Sequence, residues 1–115
     1  MGITIYHNPK CGKSRETLAL LRERGIEPAI VEYLKTPPSA AELARILKRM
    51  GKRPADVVRT KDAREAGIDP GSLSDPQLIA AIVAQPQILE RPIVVNGDRA
   101  ALGRPPENVL AILPG

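Results

Sequence analysis

The 115 residues predict an α/β fold in a single domain, 1–115, with a mixed sheet and a helical insertion over about 35–88. Three observations predict it. The chain starts with two short β-rich runs joined by one amphipathic helical stretch. Its middle carries two helix-start signatures and no alternating run. Its last quarter switches to period two around an Asn-Gly pair and then ends in a helical stretch.

Ile3-Thr4-Ile5-Tyr6 alternates and is β-rich, which predicts the first strand. From Ser14 to Arg24, the residues Ser14, Thr17, Leu18 and Leu21 recur at the spacing of one helix face, and Gly25 is a C-terminal stop. Ala29 to Leu34 reads as the second strand, ended by Pro37-Pro38. Two strands joined through a helix pair in parallel, with a right-handed crossover. Ser39-Ala-Ala-Glu42 is a capping box that opens a helix with Leu43, Ile46, Leu47 and Met50 on one face. Pro54 to Val58 reads as a short helical turn, and residues 60–73 as a polar loop. Ser74-Asp-Pro-Gln77 is a second capping box, leading into Leu78, Ile79, Ile82 and Val83, and Pro86 closes that helix. Ile93-Val94-Val95, Asn96-Gly97 and Asp98 to Leu102 predict a β-hairpin turned at Asn-Gly. A last helix over about Asn108–Leu113 is entered through Pro105-Pro106. Without the helical middle, the order is β-α-β-β-α, the thioredoxin arrangement.

Composition narrows the function. The formal net charge of +4 is a mild excess that suits a small anionic ligand or simple solubility, and no run of five or six basic residues marks a nucleic-acid arm. Phe and Trp are absent, and Tyr6 and Tyr33 are the sole aromatics, which removes the stacking platform that single-stranded nucleic acid uses. Twelve prolines, about twice the usual share, predict many short elements with sharp ends. No apolar run approaches the ~18 residues of a membrane span, and β-rich sequence from residue 3 predicts no signal peptide. A single cysteine cannot form an internal disulfide, which makes the reducing cytoplasm the expected home. One histidine and one cysteine argue against a protein-only zinc site, and no bound cofactor is expected.

The chemistry concentrates in His7-Asn-Pro-Lys-Cys-Gly-Lys-Ser14. This run misses the phosphate-loop pattern G-x-x-x-x-G-K-[ST] by one residue, because His7 stands where close backbone approach requires glycine. A cysteine phosphatase loop needs an arginine six positions after the cysteine, and that position is Thr17. What remains is Cys11 between a strand and the start of a helix, where unpaired amides and the helix dipole favour thiolate over thiol and attract an oxyanion. Lys10, Lys13 and Arg15 add nearby charge, while His7 and Ser14 are within reach to support the thiolate, along with Asn8 and Gly12 of the same loop. A lone cysteine is most often buried and inert, but strand-turn-helix placement among polar and cationic neighbours favours the reactive reading.

Tyr6-His7-Asn8-Pro9 with Cys11, Ser14 and Arg15 resembles the H-N-P-x-C-x-x-S-R signature of the glutaredoxin-coupled arsenate reductases, the ArsC family. Arg59-Thr-Lys resembles that family's central arginine segment, Arg91-Pro92-Ile93-Val94-Val95 its R-P-I-V-V strand, and Arg104-Pro-Pro-Glu107 with Val109-Leu110 its R-P-x-E-x-V-L ending. The resemblance implies a thioredoxin-like sheet with an inserted helical segment. It implies that Cys11 attacks arsenate held by Arg59, Arg91 and Arg104, and that Pro92 follows a cis peptide. Planar guanidinium forks suit a tetrahedral oxyanion. The segment Asp62–Gly67 is shorter than the family's, which leaves Arg64 as a competitor to Arg59 for the third arginine. With Ser14 where thioredoxins carry a second cysteine, the resolving thiol must come from outside; the resemblance implies glutathione as co-substrate and glutaredoxin as partner. In the implied cycle glutathione attacks the arsenic and reduces it, glutaredoxin removes the glutathione, and arsenite leaves by hydrolysis. The alternatives are a redox-sensing regulator of the Spx type that binds RNA polymerase, or a thiol reductase for another substrate. Many such regulators carry C-x-x-C, whereas this chain has C-x-x-S.

Overall fold

A computed structural model describes residues 2–114. The chain divides into two compact units: Pro37–Glu90, and the two segments that flank it, which end at Thr36 and resume at Arg91.

The flanking unit holds the sheet. Strand β1 (Ile3–His7), helix α1 (Gly12–Glu23) and strand β2 (Ala29–Glu32) form the first half. Strands β3 (Ile93–Asn96) and β4 (Arg99–Leu102), followed by a 3-10 helix over Pro106–Ile112, form the second. The strand order is β2-β1-β3-β4. β1 runs parallel to β2, with Thr4 opposite Ala29 and His7 opposite Glu32. It runs antiparallel to β3, with Ile5 opposite Val94, and β3 runs antiparallel to β4. This is the mixed, thioredoxin-like sheet that the element order predicts. Its core joins Ile3, Ile5 and Val94 of the sheet to Leu18 and Leu21 of α1 and to Val109 and Ile112 of the 3-10 helix. Side chains alternate along a strand, so Ile3, Ile5 and His7 face α1 together. On α1, Ser14, Thr17, Leu18 and Leu21 are the buried residues, the face that the periodicity predicts.

Two details of this unit differ from expectation. The hairpin turns one residue later: Asn96 pairs with Arg99, and the two-residue loop is Gly97-Asp98, with Gly97 at φ +62°. Asn96 stays in the strand because its side-chain amide donates to the Ile112 carbonyl at 2.6 Å. Gly97 then supplies the positive φ that a tight hairpin needs at its first loop position. The final helix is a 3-10 helix that begins at Pro106, directly after Pro105.

The second unit is helical: α2 (Ala40–Met50), α3 (Thr60–Glu65) and α4 (Asp75–Ala84), with 3-10 turns at Pro54–Val57, Pro70–Ser72 and Pro86–Ile88. Ser39 caps α2 by accepting the Glu42 amide, and Ser74 and Gln77 cap α4 reciprocally. Its core is aliphatic: Leu43, Ile46, Leu47, Val57, Leu78, Ile82, Ile88 and Leu89 are all buried. The expected polar loop over 60–73 instead contains α3 and a 3-10 turn. Ala63 is the one buried side chain of α3, so the sequence carries no apolar period there to read. Val58 and Leu89 form an isolated antiparallel bridge, flanked by Arg59 N–H to Ile88 C=O and Glu90 N–H to Val57 C=O, both 2.7 Å. Among the described residues, no helix is long and apolar enough to cross a membrane.

Candidate active site

The turn from β1 into α1 is tied by its own polar groups. The Cys11 amide donates to the Asn8 carbonyl at 3.0 Å, and the Lys10 amide donates to Asn8 Oδ1, also at 3.0 Å. Arg15 folds back, its Nη1 donating to the Pro9 carbonyl at 2.9 Å. Cys11 is the N-cap of α1, with extended backbone at φ −96° and ψ 125°. An N-cap position points a side chain at the unpaired amides of the first turn. Here that side chain is a sulfur.

Five influences compete at Sγ. Burial is the largest and pushes the thiol pKa up. Against it act the Ser14 amide, a hydrogen bond from the Arg91 guanidinium, the Lys13 amide and the positive charge of Arg91. Together they outweigh burial and hold the pKa below its ordinary value. Arg104 Nη1 lies 3.9 Å from Sγ and donates to the Arg91 carbonyl at 3.1 Å, so the two arginines brace each other at the sulfur. Two of the cations nearest in sequence are occupied elsewhere: Lys13 pairs with Glu16, and Arg15 turns to Pro9. The charge that acts on the thiolate comes from residues about eighty and ninety positions away along the chain.

His7 and Ser14 act one step back. Ser14 is fully buried; its Oγ accepts the Asn8 amide at 3.0 Å and lies 2.6 Å from His7 Nδ1. Burial pushes the His7 pKa down; Glu32 opposes that, and Arg22 and Arg15 add to it. The imidazole is therefore neutral at pH 7. The Ser14 hydroxyl is shared between the Asn8 amide and His7 Nδ1. His7 thus contributes no cationic charge to the thiolate, and Ser14 supports it through its backbone amide while its hydroxyl locks the loop. Gly12 opens α1, and a Cβ there would meet only Arg15 Nη2, at 3.9 Å.

The flanking unit thus brings together His7, Asn8, Cys11, Gly12, Ser14, Arg91, Pro92 and Arg104. The Arg91–Pro92 peptide is cis, and so is Arg104–Pro105. Arg59 belongs to the helical unit, where it precedes α3; its Nε donates to Asp62 Oδ2 at 2.6 Å, and Nη1 lies 4.0 Å from Glu90. Arg64 is in the same unit, exposed on α3. Two residues with no expected role also shape the site. Gly103 donates its amide to the Pro92 carbonyl at 2.9 Å, and Thr17 is fully buried against it. Neither carries a chemical signal in sequence, because a small residue and an inward-facing threonine read as packing. A groove of about 650 Å³ lined by His7, Pro9, Arg15, Leu18 and Arg22 runs beside the loop, but Cys11 is not in its wall. Cys11 itself is half-buried, which leaves it open to a small anion and an incoming second thiol.

The chain is similar to known proteins over nearly its whole length. An arsenate reductase of Haemophilus influenzae is 48% identical over 116 residues, covering 98% of this chain and 100% of that one. YfgD, an uncharacterized protein of Escherichia coli K12, is 49% identical over 114 residues, 96% of each chain. The solved structure of an arsenate reductase from Vibrio cholerae superposes with a TM-score of 0.92 at 47% identity, covering 98% of each chain. A model of the ArsC family matches residues 6–112. Matched from the first strand to the last helical turn and nearly half identical to full-length relatives, the chain belongs to the ArsC family.

Proposed function

We propose that this protein reduces arsenate to arsenite, with Cys11 as the nucleophile and Arg91, Arg104 and Arg59 as the oxyanion ligands. The observation that carries the reading is the convergence of two helix-start amides and two guanidinium groups on one sulfur. Those groups favour the thiolate before substrate arrives, and they complement the oxyanion when it does. Relatives of nearly the same length bear the name arsenate reductase, which does not favour the regulator or the other-substrate reading.

The first step forms an S–As bond from the Cys11 thiolate and releases one arsenate oxygen as water. Glutathione then adds at arsenic and expels a second water, leaving As(V) bonded to both sulfurs. Adding a thiol forms a bond but transfers no electron pair, so the reduction belongs to the next step rather than to glutathione addition. A glutaredoxin thiolate attacks the glutathione sulfur, a disulfide forms, and the As–S electron pair stays on arsenic as As(III). Water then cleaves the Cys11–As bond and arsenite leaves. Asn8, Ser14 and His7 hold the loop, and the Pro92 backbone borders the ligand. We take Arg59 rather than Arg64 as the third ligand, on the family's pattern; within the helical unit Asp62 and Glu90 hold it. No bound cofactor takes part; the chain needs a compartment that supplies glutathione, such as the cytoplasm.

The test is arsenate-dependent turnover coupled to glutathione and glutaredoxin. Cys11→Ser should abolish it with the fold intact by circular dichroism, and omitting either thiol partner should do the same. Arg59→Ala should raise KM for arsenate by roughly tenfold or more, the loss expected for a charge-assisted contact, whereas Arg64→Ala should leave it unchanged. Turnover that survives Cys11→Ser would refute the proposal.

A further inference from the structure

Gly103 sits between the end of β4 and Arg104, in a space with no room for a side-chain carbon. A Cβ placed there would lie 2.6 Å from Thr17 Oγ1, 2.9 Å from Pro92 Cγ and 3.1 Å from Thr17 Cγ2, where ordinary contact begins near 3.4 Å. Its φ is not positive, so the demand for glycine comes from closeness and not from backbone conformation. On one side the Gly103 amide donates to the Pro92 carbonyl at 2.9 Å. On the other, Thr17 Oγ1 donates to the Lys13 carbonyl at 2.8 Å and lies 3.5 Å from the Gly103 carbonyl. Lys13 begins the turn of α1 whose amides face the sulfur. Arg104 follows Gly103 directly and bonds both the Arg91 carbonyl and Cys11 Sγ. These contacts close a ring from α1 through Thr17, Gly103 and Pro92 to the two arginines and back to Cys11.

We propose that Gly103, seated on Thr17, is a positioning residue that sets the distance of Arg91 and Arg104 from Cys11. The helix supplies the sulfur and its amides, the strand region supplies the arginines, and the bare Cα of Gly103 is where the two meet. A methyl group there pushes the strand segment away from α1 and carries Arg104 and Pro92 with it. The consequence falls on the chemistry first, because the arginines stand at the far end of the displaced segment.

Cys11 is the only cysteine, so its alkylation by iodoacetamide reports this site alone. Gly103→Ala should raise the pH midpoint of that alkylation by roughly half a unit or more, as loss of a nearby cation does. If the arsenate reading holds, KM for arsenate should also rise, by roughly tenfold, with a smaller change in kcat. The double variant Thr17→Ala/Gly103→Ala removes two of the three close contacts, leaving Pro92 Cγ at 2.9 Å, and should recover part of the alkylation shift, a rescue that plain destabilisation would not give. A folded Gly103→Ala protein with the wild-type alkylation midpoint would overturn the inference, as would a double variant no better than the single one. Should Gly103→Ala fail to fold, Thr17→Ala alone decides: removing the seat should shift the midpoint in the same direction, and an unchanged midpoint overturns the inference. The alkylation readout needs no arsenate, so it separates failure of this inference from failure of the proposed activity.

Discussion

At the scale of single residues, the site divides into groups that touch the sulfur and groups that hold those groups. Arg91 contributes both a hydrogen bond and a charge to Cys11, whereas Arg104 stands 3.9 Å away and braces Arg91. Arg91→Lys should therefore raise the thiolate midpoint, read from ultraviolet absorbance, by roughly one unit, and Arg104→Lys by less. Ser14→Ala tests the other group. It leaves the buried Asn8 amide and His7 Nδ1 without their shared partner, which should cost about 1–3 kcal/mol in urea unfolding. The Ser14 backbone amide remains, so the thiolate midpoint should move little. A large midpoint shift with unchanged stability would mean that the hydroxyl serves the sulfur directly. Sequence proximity misleads here: Lys10, Lys13 and Arg15 surround Cys11 in the chain, yet Lys13 and Arg15 are spent on Glu16 and Pro9. The residues that matter lie far along the chain, where resemblance to a known signature can reveal them and local pattern cannot.

At the scale of elements, the legible parts are those with a period or a cap. The buried face of α1 and the serine caps of α2 and α4 follow from apolar spacing and hydroxyl chemistry. The hidden parts lack those signals. α3 buries a single alanine, and the hairpin register depends on Asn96 reaching the Ile112 carbonyl sixteen residues away. The caps permit a direct check: Ser74→Ala removes one half of a reciprocal pair and should cost about 1 kcal/mol of the helical unit's stability, measured by urea unfolding. Hydrogen exchange should show that loss in residues 75–84 before it shows any in β1 or β3.

At the scale of the whole molecule, two features govern behaviour in solution. His7 and Cys11 both bind protons more weakly in the fold than in the unfolded chain. Stability should therefore rise with pH as each window is crossed: up to about 6.5 for His7, and from the depressed thiol value up to about 8.5 for Cys11. It should fall again as pH drops through the folded-state values, and His7→Gln should flatten the acidic part of a urea-midpoint profile. The second feature is the lone cysteine, which offers no second thiol within the sequence, so the proposed cycle draws its resolving thiol from a partner. The claim at the centre of this account is that arsenate docks on the arginines in front of Cys11, whose thiolate its surroundings favour. Protection of Cys11 from iodoacetamide by arsenate at pH 7 tests it most directly. The account predicts that alkylation slows with rising arsenate, and that Arg91→Ala and Arg104→Ala erase the protection. Alkylation whose rate is indifferent to arsenate, in a folded protein with both arginines intact, would contradict it.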